Sequence, residues 1–189
     1  MAATTVKTVI GEVRFSYLHV FEPWSNDPEK PKKYMATLLI PKKNKELVAK
    51  IRKHIEDAYN ISVNERWGGK KPAKWFDPLQ DGDEPKQDGE DRGEAYEGCY
   101  YLNTKSNNQP GIVDKRREEI VDSEEFYSGC YGYASVAFGG YTNSGKYGVS
   151  CYLNNIMKTR DGEALGGART TAEQDFKDLG IDDSDDFDL

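Results

Sequence analysis

The sequence predicts a mainly β (α+β) fold, in which a small barrel of about five strands carries one amphipathic helix. Aromatic residues make up 12% of the 189 residues, and the 12 Tyr and 18 Gly suit short strands and turns better than a helical bundle. Several segments alternate apolar with polar residues, and one segment has helical spacing. The length suffices for one sizeable core and is short for two ordinary domains.

The first two strands are predicted on either side of a proline-rich loop. Between residues 6 and 21 apolar side chains alternate with polar ones, and Val13, Phe15 and Tyr17 share one face. This is the period of a half-buried strand. A loop with three prolines follows, and residues 34–40 form the second apolar run.

One amphipathic helix is predicted over residues 44–60. Leu47, Ile51 and Ile55 recur at helical spacing, and Asn44 is placed to act as the N-cap. The opposite face of this helix is basic, with Lys45, Lys50, Arg52 and Lys53.

The rest of the chain predicts an irregular acidic loop over residues 77–97 and then further strands. A helix between early strands is compatible with a five-stranded Greek-key barrel, and the OB-type barrel is the commonest such architecture with a nucleic-acid groove. The later strands are expected at 99–103, 111–114, 124–138 and 146–157, the last two joined by a glycine-rich hairpin turn at 139–145.

The formal net charge of −7 is unevenly distributed along the chain. Residues 1–75 carry 15 Lys or Arg against 8 Asp or Glu, residues 76–172 carry 10 against 17, and residues 173–189 carry 1 against 8. A basic N-terminal third and a terminal acidic block are typical of a protein whose tail can occupy an anion-binding surface or be repelled from it.

Two segments combine cations with aromatic rings, the pairing needed to bind single-stranded nucleic acid without reading its sequence. Bases stack on aromatic faces at about 1–3 kcal/mol each, while cations follow the phosphates. The candidate DNA contacts in these segments are Lys32, Lys33, Tyr34, Trp67, Lys70, Lys71, Lys74 and Trp75. For each of the two tryptophans, capping the barrel is an equally good interpretation.

A tyrosine pair in the predicted strand 124–138 is a further candidate. Tyr131 and Tyr133 share one strand face, while Ala134, Val136 and Phe138 occupy the other. If the Phe138 face is the core, the two tyrosines project outward. A large exposed aromatic pair indicates a binding surface, unless a flanking loop covers it.

Arg116 and Arg117 are candidate phosphate contacts. Glu118 and Glu119 lie beside them, so a solvated charged loop explains the same residues equally well. The basic face of the predicted helix is open to the same two interpretations, DNA contact or solvated surface.

The C-terminal segment is the most specific feature of the sequence. We expect a folded domain over residues 1–168 and a flexible acidic tail over 169–189, because the tail is highly charged and poor in apolar residues. Two apolar residues inside the acidic block would let the tail imitate a phosphate chain and also anchor on a partner; a plain solubilising tail is the alternative. The candidate partner-binding residues are Asp182, Asp183, Asp185, Asp186, Phe187, Asp188 and Leu189.

Several segments, taken in order, resemble the phage-encoded OB-fold single-stranded DNA-binding proteins of tailed phages. They are YMATLLIPK at 34–42, LQDGD at 79–83, YSGCY at 127–131, LNN at 153–155, RDGE at 160–163 and the acidic terminus. The resemblance covers nearly the whole chain. One departure is Phe187, third from the end, where related tails often finish on Phe.

The resemblance implies a protein that coats single-stranded DNA without sequence preference during phage DNA replication, recombination and repair. It implies a tail that competes with DNA and recruits replication proteins such as polymerase, helicase or primase. A homodimer in the cytoplasm of the bacterial host is also implied.

Other classes of function fit the sequence less well. A nuclease-like metal site could use Asp81, Asp83, Asp88 and Asp91, but their spacing matches no ligand pattern and no nucleophile is paired with a base. We therefore expect no catalysis, metal or cofactor. A module that binds a glycan or protein through exposed aromatics is the alternative function, although it leaves the basic third and the acidic tail unexplained.

The cysteines and the N-terminus bear on location. Three cysteines without CxxC spacing, and two histidines far from them, match no zinc pattern, so each Cys is expected to be reduced. No run approaches the roughly 20 apolar residues that span a bilayer, and residues 1–10 lack the apolar region of a secretory signal. We expect a cytoplasmic protein.

Overall fold

A computed structural model describes residues 4–165 together with Phe176 and Leu179. The elements along the chain alternate long strands with one helix and short connecting pieces. They are β1 (Thr5–Trp24), β2 (Lys33–Pro41), α1 (Lys45–Glu65), β3 (Gln80–Asp81), a 3-10 turn (Glu94–Tyr96), β4 (Cys99–Ser106), β5 (Gly111–Val113), β6 (Tyr131–Asn143) and β7 (Lys146–Arg160).

Five of these strands close into a barrel. β1 is long enough to pair with β2 on one side and with β6 on the other. β2 pairs antiparallel with β4, β6 pairs antiparallel with β7, and a parallel pairing of β4 with β7 completes the circuit. β3 and β5 are short additions at the two ends of the sheet. The predicted OB-type barrel is confirmed.

The core lies inside this barrel and under α1. Phe15, Leu38 and Phe138 are fully buried, and the helix contributes Ile51 and Ile55 from the face that the sequence predicts. Burying each such side chain stabilises the fold by about 1.5–3 kcal/mol. The helix packs against β1 and β6 and ends at Glu65, one turn beyond the prediction.

The predicted N-cap of the helix is confirmed. The side-chain oxygen of Asn44 accepts a hydrogen bond from the backbone N–H of Leu47 at 3.3 Å. This bond satisfies one of the donors that have no partner within the first turn of a helix.

The alternation predicted for β1 is wrong at Tyr17. Ser16 is buried, and the Tyr17 side chain is 59% exposed rather than sharing the inner face with Val13 and Phe15. The pairing of β1 with β2 shifts register between Ser16 and His19, and Tyr17 has a positive φ of 46°. An irregularity of this kind reverses the side-chain order, and the period of the sequence does not reveal it.

The last two long strands are also offset from the prediction. β6 begins at Tyr131 rather than at residue 124, because residues 122–130 form successive turns. It then continues through most of the predicted loop to Asn143. The turn consists only of Ser144 and Gly145, both with positive φ, which is the two-residue hairpin turn that suits twisted strands.

The acidic loop between α1 and β4 is irregular, as predicted, apart from β3 and the 3-10 turn. Lys42 fixes it to the barrel, since its ammonium lies 2.6 Å from a carboxylate oxygen of Asp81 and 2.6 Å from one of Asp83. Hydrogen bonds to Lys42 lower the pKa of both carboxyl groups and raise the pKa of the lysine.

Neither a membrane helix nor a metal cluster is found in the described part of the chain. No helix there is both long and apolar enough to cross a bilayer. No group of three or more His, Cys, Asp or Glu side chains there is arranged to hold a metal ion.

Residues 161–165 form a strap that returns across the end of the barrel after β7. A guanidinium nitrogen of Arg14 donates to the carbonyl of Glu163 at 2.6 Å, and the Tyr127 hydroxyl donates to the carbonyl of Gly162 at 2.9 Å. The backbone N–H of Leu165 donates to the carbonyl of Ser128 at 2.9 Å. The predicted domain boundary at 168 lies outside the described residues.

Candidate nucleic-acid interface

A groove of about 670 Å³ crosses the outer face of β2, β4 and β7. Its floor follows from strand register, which sets Met35 opposite Lys105, Thr37 opposite Asn103, and Lys105 opposite Tyr152. Ala36 and Leu38 point into the core, so their neighbours in β2 face outward, as alternation along a strand requires.

Aromatic side chains form the walls of the groove. On one side Phe76 is 47% exposed. Its backbone is fixed to β7, because its N–H donates to the carbonyl of Tyr147 at 2.9 Å and its carbonyl accepts from the N–H of Val149 at 3.0 Å. On the other side the β6–β7 hairpin contributes Tyr141, whose ring lies so close to Gly148 that a Cβ there would overlap it.

Two lysines concentrate positive charge at and beside the groove, because Lys105 lines it and Lys33, at the start of β2, is near enough to interact with Lys105. Partial burial lowers the pKa of the Lys105 ammonium, and the neighbouring charge of Lys33 lowers it further. An anion bound between them would relieve this repulsion and stabilise both charged forms. The Lys105 and Lys33 pair is therefore a favourable position for a phosphate.

Asn103 presents hydrogen-bond donors to the groove. The Thr37 hydroxyl, which is almost fully buried, donates to Oδ1 of Asn103 at 2.8 Å. The amide is thereby oriented with its Nδ2 group free, and no described residue accepts from that group. Nδ2 carries two N–H donors, which suit phosphate oxygens or base carbonyls.

Trp24 supplies an exposed ring beside the lysine pair. It lies opposite Lys33 in the β1–β2 pairing and is 43% exposed. His19 stacks on it with ring centroids 4.8 Å apart and planes within 9°. Burial lowers the pKa of His19, which favours the neutral imidazole in this stack.

Comparison with known proteins bears on this groove. The sequence profile of the family described as "Enterobacter phage Enc34, ssDNA-binding protein" matches residues 6–188. The chain belongs to this family. "Putative protein p50" of Acyrthosiphon pisum secondary endosymbiont phage 1 is 31% identical over 186 residues, covering 93% of this chain and 95% of that protein.

Solved structures share the fold. The single-stranded DNA-binding protein of bacteriophage Enc34 in complex with ssDNA is 25% identical, with a TM-score of 0.70, over 85% of this chain and 89% of that one. The single-stranded DNA-binding protein gp2.5 of bacteriophage T7 is 18% identical, with a TM-score of 0.58, over 95% and 97%. The second likeness extends to the fold alone.

In this member of the Enc34 family, the predicted basic loop leads directly to the groove. Lys32 is exposed, while Lys33 and Tyr34 are partly buried at the start of β2. The register places Lys33 opposite Trp24 and Tyr34 opposite Ser106. Of the predicted contacts, Lys33 has the clearest connection to the groove, through its charge interaction with Lys105.

The two predicted tryptophans lie under α1 rather than in the groove. Trp67 is only 7% exposed and meets Tyr59 and Tyr147 edge to face. The Trp67 ring is covered, so we assign it to the core. This agrees with the second interpretation of its sequence position, that it caps the barrel. Trp75 is partly buried against Tyr59, and Lys70, Lys71 and Lys74 nearby are exposed.

Tyr131 and Tyr133 lie on a different surface, between β1 and β6. The predicted face is observed: Ala134, Val136 and Phe138 are buried, and Tyr133 is 39% exposed. Its ring lies directly over Gly11, where a Cβ would overlap it.

The Tyr131 ring already has cationic partners. The Arg160 guanidinium lies 3.6 Å from its centroid and that of Arg14 lies 5.4 Å away. Glu12 holds Arg160 in place at 2.8 Å, and hydrogen bonding to Arg160 lowers the pKa of the Glu12 carboxyl. Tyr131 is therefore less available for stacking than Tyr133.

The remaining predicted contacts lie away from the groove. Arg116 and Arg117 occupy an exposed turn after β5, which Asp114 organises by accepting from the backbone N–H groups of Arg116 and Glu118. The acidic residues 182–189 lie outside the described residues.

Most of the groove is not evident from the sequence. No pattern distinguishes Phe76, Asn103 or Lys105, and Tyr141 and Tyr152 are weaker candidates from the sequence, because packing in the core or the hairpin explains them better. In the structure Tyr152 faces outward, since its neighbours Cys151 and Leu153 are buried. The convergence of three distant strands on one groove depends on barrel register, which a single sequence does not show.

Proposed function

We propose that this chain binds single-stranded DNA in the groove over β2, β4 and β7, without sequence preference and without catalysis. The observation that carries the proposal is the meeting of the Lys33 and Lys105 charges with exposed aromatic walls on one barrel face. Membership of the Enc34 family supports it. The strand pair β2–β4 and the loops beside it are also where OB-type barrels hold oligonucleotides.

The groove chemistry suits a single strand with any sequence. Phe76, Tyr152 and Trp24 offer aromatic surface on which any base can stack. Lys33 and Lys105 neutralise phosphates, and Asn103 donates hydrogen bonds. Any base presents a face for stacking, so affinity is spread over backbone and ring contacts rather than base edges.

The predicted contacts outside the groove extend this proposal. Lys32 and Tyr34 continue the path at the β1–β2 loop, and Lys70, Lys71, Lys74 and Trp75 lie in the segment that follows α1. Tyr131, Tyr133, Arg116 and Arg117 lie on other surfaces, and for these DNA contact stays a prediction.

In the phage, we propose that the protein coats single strands during replication, recombination and repair in the host cytoplasm. The acidic tail would compete with DNA for the basic groove and, once displaced, recruit a polymerase, helicase or primase through Phe187 and Leu189. A homodimer belongs to the same proposal. These features rest on the family resemblance and on the charge distribution of the sequence.

The test is fluorescence anisotropy of labelled oligo-dT with the full chain at low and high salt. We expect binding that weakens as salt rises, with a slope of log K against log salt near −0.7 for each neutralised phosphate. Lys33→Gln/Lys105→Gln should reduce this slope by about 1.4. The control is Lys43→Gln/Lys86→Gln, which removes the same charge from a position before α1 and from one in the acidic loop, neither of them a predicted contact.

Absence of oligo-dT binding by the full chain and by a chain stopped after Ala172 would overturn the proposal. Binding that ignores salt would favour the glycan or protein alternative. Equal loss in the two lysine variants would show that net charge, rather than the groove, accounts for the affinity.

A further inference from the structure

A second cleft lies on the opposite side of the segment that forms one wall of the groove. It has a volume of about 380 Å³ and lies between residues 71–77 and α1. Trp75 and Lys71 line it from the loop, and Arg52, Tyr59 and Asn60 line it from the helix.

The aromatic ring in this cleft is held firmly. Trp75 packs on Tyr59 with centroids 4.7 Å apart at 42°, and Tyr59 in turn meets the buried Trp67 edge to face. Because Trp75 is only partly buried, part of its indole remains accessible. A ring fixed by its neighbours loses little entropy when a base stacks on it.

The charges around the cleft favour an anion. Lys70, Lys71 and Lys74 are exposed, and none forms an ion pair with a described residue. Two cations, Lys71 and Arg52, and two carboxylates, Glu56 and Asp77, line the cleft, so the charges of its lining balance. The exposed Lys70 and Lys74 beside it add two further positive charges.

The cleft and the groove adjoin at a single short segment. Phe76 lines the groove and Trp75 lines the cleft, although they are neighbours in sequence. The hydrogen bonds of Phe76 to β7 hold the segment in place, and Lys74 stands beside it. A strand that leaves the groove at Phe76 has only this segment to cross.

We propose that the cleft is a second contact region for the same single strand, which passes from the groove over residues 74–76 onto Trp75 and Lys71. This inference rests on the proposed function of the groove. It predicts that long oligonucleotides gain affinity from contacts that short ones never reach.

The experiment compares two labelled oligo-dT lengths, one at the low end of the roughly 4–16 nucleotides that OB folds occupy and one beyond the upper end. Lys71→Gln/Lys74→Gln should leave binding of the short oligonucleotide unchanged. For the long one it should weaken binding and reduce the salt slope by about 1.4. Lys43→Gln/Lys86→Gln is the matched control and should change neither slope.

The outcomes distinguish the proposed second contact region from the proposed binding of DNA in the groove. If the short oligonucleotide binds normally and the long one loses its advantage only in Lys71→Gln/Lys74→Gln, the second region is supported. If both lengths keep their affinity and slope in that variant, the second region is excluded while the groove stands. If neither length binds the unaltered chain, the proposed function itself fails.

Discussion

At the scale of single residues, Thr37 shows how an almost fully buried hydroxyl in the groove lining can orient a more exposed neighbour. Its hydrogen bond to Oδ1 of Asn103 decides which edge of the amide faces the groove. Asn103 is the proposed contact, and Thr37 is a positioning residue.

Replacing Thr37 with valine keeps the shape of the side chain and removes the hydroxyl. We expect oligo-dT affinity to fall roughly fivefold, the equivalent of about 1 kcal/mol for one net hydrogen bond. Asn103 is exposed, so water can satisfy its released oxygen and stability should change little. Anisotropy gives the affinity and thermal unfolding gives the stability.

A double-mutant cycle distinguishes positioning from a general structural effect. Once Asn103→Ala has removed the amide, Thr37→Val should have no further effect on affinity, because the two residues act through one contact. A full additional loss in the double variant would show that Thr37 acts independently of Asn103.

The ion pairs of Lys42 lead to a separate prediction, about how the free energy of unfolding depends on pH. Its hydrogen bonds lower the pKa of Asp81 and Asp83 in the folded protein. Below about pH 4 the unfolded chain therefore takes up more protons than the folded chain, and the stability that these carboxylates contribute at neutral pH is lost as the pH falls. The gap in unfolding free energy between the unaltered chain and Lys42→Met should shrink from pH 7 to pH 3.

Urea unfolding at the two pH values measures that gap. A gap that is the same at both values would mean that Lys42 contributes through packing on Tyr100, whose ring centroid lies 5.1 Å from its ammonium, rather than through the carboxylates.

Single residues were predictable where a local rule decides their role. The N-cap Asn44 and the outward Tyr133 follow from helix and strand periodicity. Trp67 could not be placed in the same way, because its burial depends on Tyr147, which is 80 positions away and reaches it only through the β6–β7 hairpin.

At the scale of elements, the strap at 161–165 joins the end of β7 to the bend of β1. Arg14, Tyr127 and Ser128 all hydrogen-bond to it. Gly129 lies against Glu163 so closely that a Cβ there would overlap the Glu163 carbonyl. The strap is therefore part of the folded domain.

This contact predicts different stabilities for two truncations. A chain stopped after Leu165 should unfold at a higher temperature than a chain stopped after Arg160, because only the second loses the hydrogen bonds that the strap forms with Arg14, Tyr127 and Ser128. At about 0.5–1.5 kcal/mol each, they correspond to a difference of several degrees. Equal melting temperatures would show that the strap adds nothing to stability.

The order and type of the elements were largely predictable, whereas their ends were not. Long periodic runs gave β2, α1 and β7 within a few residues. β6 began late because residues 122–130 prefer turns, and it ended late because a two-residue turn suffices at Ser144 and Gly145. Local propensity does not decide between turn and strand at either end of β6. Pairing with β7 determines which residues become strand.

At the scale of the whole molecule, a chain with a net charge of −7 is proposed to bind a polyanion. The fold allows a net-negative chain to bind a polyanion because it separates positive from negative side chains. Lys33 from the basic N-terminal third and Lys105 from β4 bring positive charge to the groove, whereas Lys42 pairs with Asp81 and Asp83 of the acidic loop. Net charge alone is therefore a poor guide to the partner of this protein.

Photocrosslinking would locate the bound DNA on the protein. Oligo-dT bound to the full chain would be irradiated with short-wavelength ultraviolet light, and the modified residues identified by mass spectrometry. We expect crosslinks at the groove aromatics Phe76, Tyr141 and Tyr152 and at Trp24 beside Lys33. Crosslinks confined to Tyr131 and Tyr133, with the groove unmodified, would contradict this expectation.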